Sequence, residues 1–94
     1  CHMGVSRSTA AMLTLMAQIE PDAAEDALFE RLRRIRPQAW PNSVMVGFAD
    51  DILGRGGRLV EALGDHYGRQ VRAKPQFLDW MKTLGRMREV EMAR

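Results

Sequence analysis

The chain has 94 residues, of which 46% are hydrophobic and 28% are charged, and its formal net charge is +2. This length allows one small domain, and the composition is ordinary for a globular protein. No run approaches the roughly 18 apolar residues of a membrane span, and no secretory signal is visible, so we expect a cytoplasmic protein that does not bind membranes.

Apolar residues recur at helical spacing throughout the chain, and no strand is predicted. The first predicted helix, from Ser8 to about Ile19, is apolar on most sides and needs to be covered by other parts of a protein. After the break at Pro21, Asp22 and Glu25 form a predicted capping pair for a second helix. This helix should end before residue 37, which is a proline.

The segment 36–42 contains two prolines and is predicted to be an extended loop, with Asn42 capping a third helix. Glycines at positions 54, 56 and 57 weaken the helical pattern and predict a kink or a break there. A last helix is predicted to begin near Pro75 and to continue past Met87 to a frayed, charged end.

Four arginines between positions 31 and 36 would suit an anionic partner such as phosphate or nucleic acid. Because they fall on a helix whose other face is apolar, we interpret them as a solvated face and expect no nucleic-acid partner. Asp50, Asp51 and His66 are interpreted as surface side chains. One cysteine and two widely separated histidines are too few to ligate zinc, so we expect no metal and no cofactor.

The first eight residues, CHMGVSRS, carry the strongest chemical signal. Gly4 lies between Cys1 and Arg7 and allows the backbone to curl, so that successive N–H groups point inward and hold an oxyanion. The dipole of the following helix favours bound phosphate and the thiolate form of Cys1. Arg7 offers a planar fork of donors that matches two phosphate oxygens, and Ser8 can donate a hydrogen bond to the sulfur.

This run resembles the phosphate-binding loop of the cysteine-dependent protein tyrosine phosphatases, especially the compact dual-specificity branch, with its C-x5-R-[S/T] motif. A second segment resembles the R-P…P-N element downstream of that loop, and it consists of Arg36, Pro37, Pro41 and Asn42. The resemblance covers roughly residues 1–53 and is strongest in the loop motif. Beyond it, the sequence is only generally similar to bacterial members of the group.

The resemblance implies a role for each loop residue. Cys1 would be the nucleophile, Arg7 would hold the phosphate, and Ser8 would assist release of the sulfur from a phosphocysteine. Asn42 would support the loop. The phosphate-binding residues would be His2, Met3, Gly4, Val5, Ser6 and Arg7.

In the family, the nucleophilic cysteine ends a central strand, and an aspartate upstream of it is the general acid. We therefore expect residues 1–94 to be the C-terminal part of one phosphatase domain, with a phosphate-binding loop over 1–8 and a helical remainder. The chain itself would be mainly α, and the central sheet of the α/β fold would lie upstream of residue 1. Alone, it should have little activity and self-associate through Met12, Leu15 and Met16.

The expected substrate is a phosphorylated protein or a small phosphate ester. The alternative is a non-catalytic helical interaction or anion-binding module that keeps the phosphate cradle without turnover. A third hypothesis makes Cys1 an N-terminal nucleophile whose α-amine is the base. It leaves Arg7 and Ser8 without a role and requires strands that the sequence does not predict.

Overall fold

The computed structural model describes the backbone of residues 2–94 and the side chains from Ser6 onward. Six helices are present, and no strand occurs among the described residues, so the prediction of a mainly α chain is confirmed. No helix in this part of the chain is long and apolar enough to cross a membrane. The helices are α1 (His2–Ile19), α2 (Glu25–Ile35), α3 (Ser43–Ile52), α4 (Arg58–Ala73), α5 (Gln76–Thr83) and α6 (Met87–Met92).

The hydrophobic core lies where α1 packs on α2 and α3, and where α4 packs on α2 and α3. Helices α5 and α6 pack on each other and on α4. Trp40, from the loop between α2 and α3, stacks on Tyr67 of α4 at 4.2 Å and on Phe77 of α5 at 5.3 Å between ring centroids. Stacked aromatic rings bury a large apolar area, so Trp40 ties the loop to both helices.

The second helix ends at Ile35, before the proline at position 37, as predicted. The predicted capping pair at its start is wrong. The residue that caps α2 is Ala24, which offers no side-chain hydrogen bond, and Asp22 is exposed. The carboxylate of Glu25 turns instead toward Arg55, with its Oε2 atom 2.8 Å from the guanidinium.

Arg55, in the turn between α3 and α4, is 3% exposed. Its guanidinium donates to the main-chain oxygens of Ala17 at 3.1 Å, Glu20 at 3.2 Å and Ala23 at 2.9 Å. These carbonyls lie at and just after the end of α1, where a helix leaves its last acceptors unsatisfied. Arg55 therefore caps α1 from a distant part of the chain.

The predicted break after α3 is confirmed, since α4 starts only at Arg58. Three glycines in this turn have positive φ, a conformation that other residues rarely adopt, and they are Gly54, Gly56 and Gly57.

The interpretation of Asp50 as a surface residue is wrong, whereas Asp51 is exposed as predicted. The Asp50 carboxylate is 2% exposed and accepts hydrogen bonds from the amides of Gly57 at 2.7 Å, Leu59 at 2.7 Å and Val60 at 3.1 Å. Asp50 thus satisfies orphan donors at the start of α4, and the negative charge lies at the positive end of that helix.

The last predicted helix starts where expected, with Pro75 as its N-cap residue, but it does not continue to the end. Gly85, with φ 71°, separates α5 from α6, because a residue in this left-handed conformation ends a helix. The amide of Arg94 then donates to the carbonyl of Gly64 at 3.1 Å, which places the last residues against α4.

Helix α1 is covered on one side only. Ala10, Leu13 and Ala17 are buried, whereas Leu15 and Ile19 are 57% and 76% exposed. A second exposed apolar row lies on α3, at Val44, Phe48 and Ile52. The described chain therefore leaves apolar surface on both helices in contact with solvent.

Candidate functional site

The segment that was predicted to form the phosphate-binding loop is helical in this structure. Helix α1 begins at His2 rather than at Ser8, so residues 2–7 are in its first turns. Helical backbone directs successive N–H groups along the helix axis, and they do not converge on one point as in the predicted loop. The position of Cys1 and the side chains of residues 2–5 lie outside the part of the chain that the structure describes.

The described residues of the motif differ sharply in exposure. Ser6 is 2% exposed, whereas Arg7 and Ser8 are exposed. The side chains of Arg7 and Ser8 make no hydrogen bond or ion pair within the described residues. Helical spacing explains the difference, since the neighbours of a buried residue are rotated away from the core.

Asn42 lies beside the motif, and its main chain and side chain make different contacts. Its amide donates to the carbonyl of Ser6 at 3.1 Å. Its side-chain Oδ1 accepts from the amide of Met45 at 3.1 Å and caps α3, as predicted. The structure therefore brings Asn42 and Ser6 together through the backbone, while the side chain contacts its own helix.

A small cavity of about 80 Å³ adjoins Ser6. Its other lining residues come from the loop before α3 and from the α5–α6 region, and they are Gln38, Trp40, Phe77, Trp80, Met81 and Arg86. The Oγ of Ser6 is buried without a hydrogen-bond partner in the described chain. A buried hydroxyl without a hydrogen-bond partner is uncommon in folded proteins.

Glu89 organises the polar side of this region. Its carboxylate accepts from the indole of Trp40 at 2.8 Å and from the amide of Ser43 at 2.7 Å, and it pairs with Arg86 at 2.6 Å. Burial raises the pKa of Glu89, but the hydrogen bonds from Arg86, Ser43 and Trp40 outweigh burial, and the net pKa lies below its usual value. Glu89 is therefore an ionised anchor for the start of α3.

A larger groove, with a volume of about 530 Å³, runs between α2 and α4. The sequence does not predict this groove, because its helical pattern indicates a surface position at a helix end for His66. His66 is in fact 1% exposed and lies within α4. The residues that line this groove are Asp26, Phe29, Glu30, Arg33, Ala62, Asp65, His66, Arg69 and Arg72.

The imidazole of His66 bridges the two sides of the groove. Its Nε2 atom lies 2.7 Å from the carbonyl of Ala39 and donates to it, so Nδ1 accepts from Arg33 at 3.1 Å. The pKa of His66 is lowered to about 4, mainly by burial. The hydrogen bond to Ala39 opposes this shift, and the positive charges of Arg33 and Arg69 contribute to it. His66 is consequently neutral near pH 7.

The interpretation of the arginine cluster as a solvated face is wrong for Arg33. Its neighbours Arg31, Arg34 and Arg36 are exposed, as a solvated face requires, but Arg33 is half-buried and bonded to His66. A local helical pattern places Arg33 near the boundary of the apolar face, and only the packing of α4 decides where its guanidinium goes.

Among the described residues, no group of three or more His, Cys, Asp and Glu side chains is arranged to hold a metal ion. No known family model, curated protein or solved structure significantly matches this chain.

Proposed function

We propose that this chain carries the phosphate-binding loop and the helical C-terminal part of a cysteine-dependent phosphatase of the protein tyrosine or dual-specificity type. The observation that supports the proposal is the hydrogen bond between the Asn42 amide and the Ser6 carbonyl. It joins the two separate segments of the sequence that resemble this family, the C-x5-R-S run and the R-P…P-N element.

The proposed reaction has two steps. The Cys1 thiolate attacks the phosphorus of a phosphate monoester, the bond from phosphorus to the ester oxygen breaks, and the alcohol leaves with a proton from an acid outside this chain. Arg7 and the loop amides hold the phosphate oxygens. Water then attacks the phosphocysteine, and Ser8 donates a hydrogen bond to the departing sulfur. The substrate is a phosphorylated protein or small ester in the cytoplasm, and no cofactor takes part.

This reaction requires residues 2–7 to leave the helical conformation. We propose that the strand expected before Cys1 holds this segment as a loop, and that its sheet covers the outer face of α1. The exposure of Leu15 and Ile19 supports a covering layer, because large apolar side chains on one side of a helix normally face another element.

The test is alkylation of Cys1 by iodoacetamide with and without inorganic phosphate. If the proposal holds, phosphate slows alkylation in a longer form of the protein, in which the residues before Cys1 hold residues 2–7 as a loop, and Arg7→Gln removes the protection. The control variant is Arg88→Gln, because Arg88 is exposed and lies outside the motif. This variant should keep the protection by phosphate. In a longer form of the protein that includes the residues before Cys1, Cys1→Ser should abolish hydrolysis of p-nitrophenyl phosphate. Retained turnover would overturn the assignment of Cys1.

A non-catalytic helical module is the second candidate, and the helical conformation of residues 2–7 favours it. Such a module would use the exposed apolar rows of α1 and α3 to bind a partner or a second copy of the chain. It predicts equal alkylation of Cys1 with and without phosphate, in the short and in the longer form.

A further inference from the structure

The α2–α4 groove contains three arginines and three acidic residues, so its use depends on which charges are already paired. Glu30 pairs with Arg34, outside the groove, at 2.9 Å. Asp26 accepts a hydrogen bond from the adjacent amide of Ala27 at 2.9 Å. Asp65 lines the groove, is exposed and forms no ion pair within the described residues. Among the described residues, no Asp or Glu side chain forms an ion pair with any of the three groove arginines, which are Arg33, Arg69 and Arg72.

The donors of these arginines are only partly used. Arg33 donates to His66, and Arg72 donates to the main-chain oxygen of Arg94 at 2.8 Å. The Arg69 side chain has no hydrogen bond or ion pair within the described chain, and it is exposed at the groove. Two guanidinium groups, those of Arg33 and Arg69, therefore retain several free N–H donors.

The neighbouring charge that acts most strongly on the pKa of Arg33 is the positive charge of Arg69. Burial lowers the pKa of the Arg33 guanidinium, and the charge of Arg69 lowers it further, while the attraction of Glu30 offsets only part of this. Repulsion of this kind between neighbouring cations is relieved when an anion binds between them.

His66 holds the Arg33 guanidinium in place without pairing its charge, because the neutral imidazole is a hydrogen-bond acceptor. A carboxylate in its place would orient Arg33 equally well but would neutralise its charge. The neutral imidazole instead positions the guanidinium and leaves its full positive charge facing the groove. His66 is thus a positioning residue, fixed in turn by its hydrogen bond to Ala39.

We propose that the α2–α4 groove binds a phosphate dianion through Arg33 and Arg69, with Arg72 at the rim. This site is distinct from the Cys1 motif and goes beyond the proposed phosphatase function. Two guanidinium forks favour phosphate over a carboxylate, because a phosphate group carries a second negative charge and enough oxygens to accept from both forks.

The experiment is a titration of the 15N-labelled chain with sodium phosphate at pH 7.5, followed by NMR at constant ionic strength. We expect saturable shifts in α2 and α4, including the Nε–Hε signals of the groove arginines. Arg69→Gln should weaken binding roughly five- to tenfold, as expected for the loss of charge-assisted hydrogen bonds. The control Arg36→Gln, at an exposed position just after α2 and outside the groove, should change the affinity less than about twofold.

Three further titrations test whether the groove binds phosphate specifically. Arg7→Gln should leave the groove shifts intact, which separates this site from the proposed catalytic loop. Sodium acetate at equal ionic strength should bind at least about fivefold more weakly than phosphate. Phenyl phosphate distinguishes the source of the anion: binding equal to that of phosphate indicates a monoester ligand, and failure to bind indicates free phosphate. Absence of saturable shifts, an unchanged affinity in Arg69→Gln, or equal binding of acetate would overturn the proposal.

Discussion

Arg55, in the turn before α4, and Arg69, in the α2–α4 groove, are the same residue type in opposite circumstances. Arg55 is 3% exposed, and its guanidinium contacts three main-chain carbonyls and the carboxylate of Glu25. Arg69 is exposed and contacts no carboxylate or carbonyl in the described chain. The first guanidinium is committed to holding helices together, whereas the second is available to a ligand.

Burial and pairing decide whether an arginine stabilises the fold or keeps its donors free. A buried guanidinium with all its donors used stabilises the fold, and removing it leaves several acceptors without partners. Neighbouring guanidiniums that form no ion pair with a carboxylate add repulsion to the folded state. Matched substitutions at the two positions should therefore change stability by different amounts and in opposite directions.

The largest effect is expected for Arg55→Gln. The shorter neutral side chain cannot reach Glu25 and the three carbonyls together, so we expect the free energy of unfolding to fall by about 3 kcal/mol. Urea unfolding followed by circular dichroism measures this change. Arg58→Gln is the control, because its side chain is 60% exposed and shares the same Glu25 carboxylate. A loss below 1 kcal/mol for Arg55→Gln would show that the contacts of Arg55 with the end of α1 and with Glu25 do not stabilise the fold.

A smaller effect is expected from acidification, through His66. Its pKa is lowered to about 4 in the folded protein, whereas an unfolded chain binds the proton near pH 6.5. The unfolded state thus takes up more protons, so the stability contributed by neutral His66 is complete above pH 6.5 and is lost as the pH falls toward 4. Between pH 7.5 and pH 5 the wild-type chain should lose about 2 kcal/mol through this group.

The measurement is urea unfolding at both pH values in the wild-type chain and in His66→Gln, since glutamine does not titrate but can donate to Ala39 and accept from Arg33. The difference between the two pH dependences isolates His66 from the acidic residues. Equal pH dependence in both proteins would contradict a buried neutral imidazole at position 66. It would also weaken the contrast between the α2–α4 groove and the buried, paired Arg55.

The smallest effect is expected for Arg69→Gln without ligand. Removing one of two neighbouring positive charges should raise the free energy of unfolding slightly, by up to about 0.5 kcal/mol. Added phosphate should stabilise the wild-type chain more than the variant, because a ligand that binds only the folded state increases its stability. A clear loss of stability in Arg69→Gln at low salt would mean that Arg69, like Arg55, is already committed within the fold.

Local signals in the sequence correctly predicted the mainly α class and several helix ends. Pro37 follows the end of α2, Asn42 caps α3, and the glycines at 54–57 separate α3 from α4. These predictions depend on backbone preferences and on caps that act within three or four residues. The same reasoning predicted a loop over residues 1–8, whereas the described backbone is helical from His2.

The sequence by itself thus determined where several helices begin or end, their apolar faces, and the motif that suggests phosphate chemistry. Only the tertiary structure decided which polar side chains are buried. Asp50 receives amides seven to ten residues away, and His66 bonds to groups 27 and 33 residues away. Helical periodicity cannot predict such partners, because a polar residue is stable inside a protein only when a distant segment supplies its hydrogen bonds.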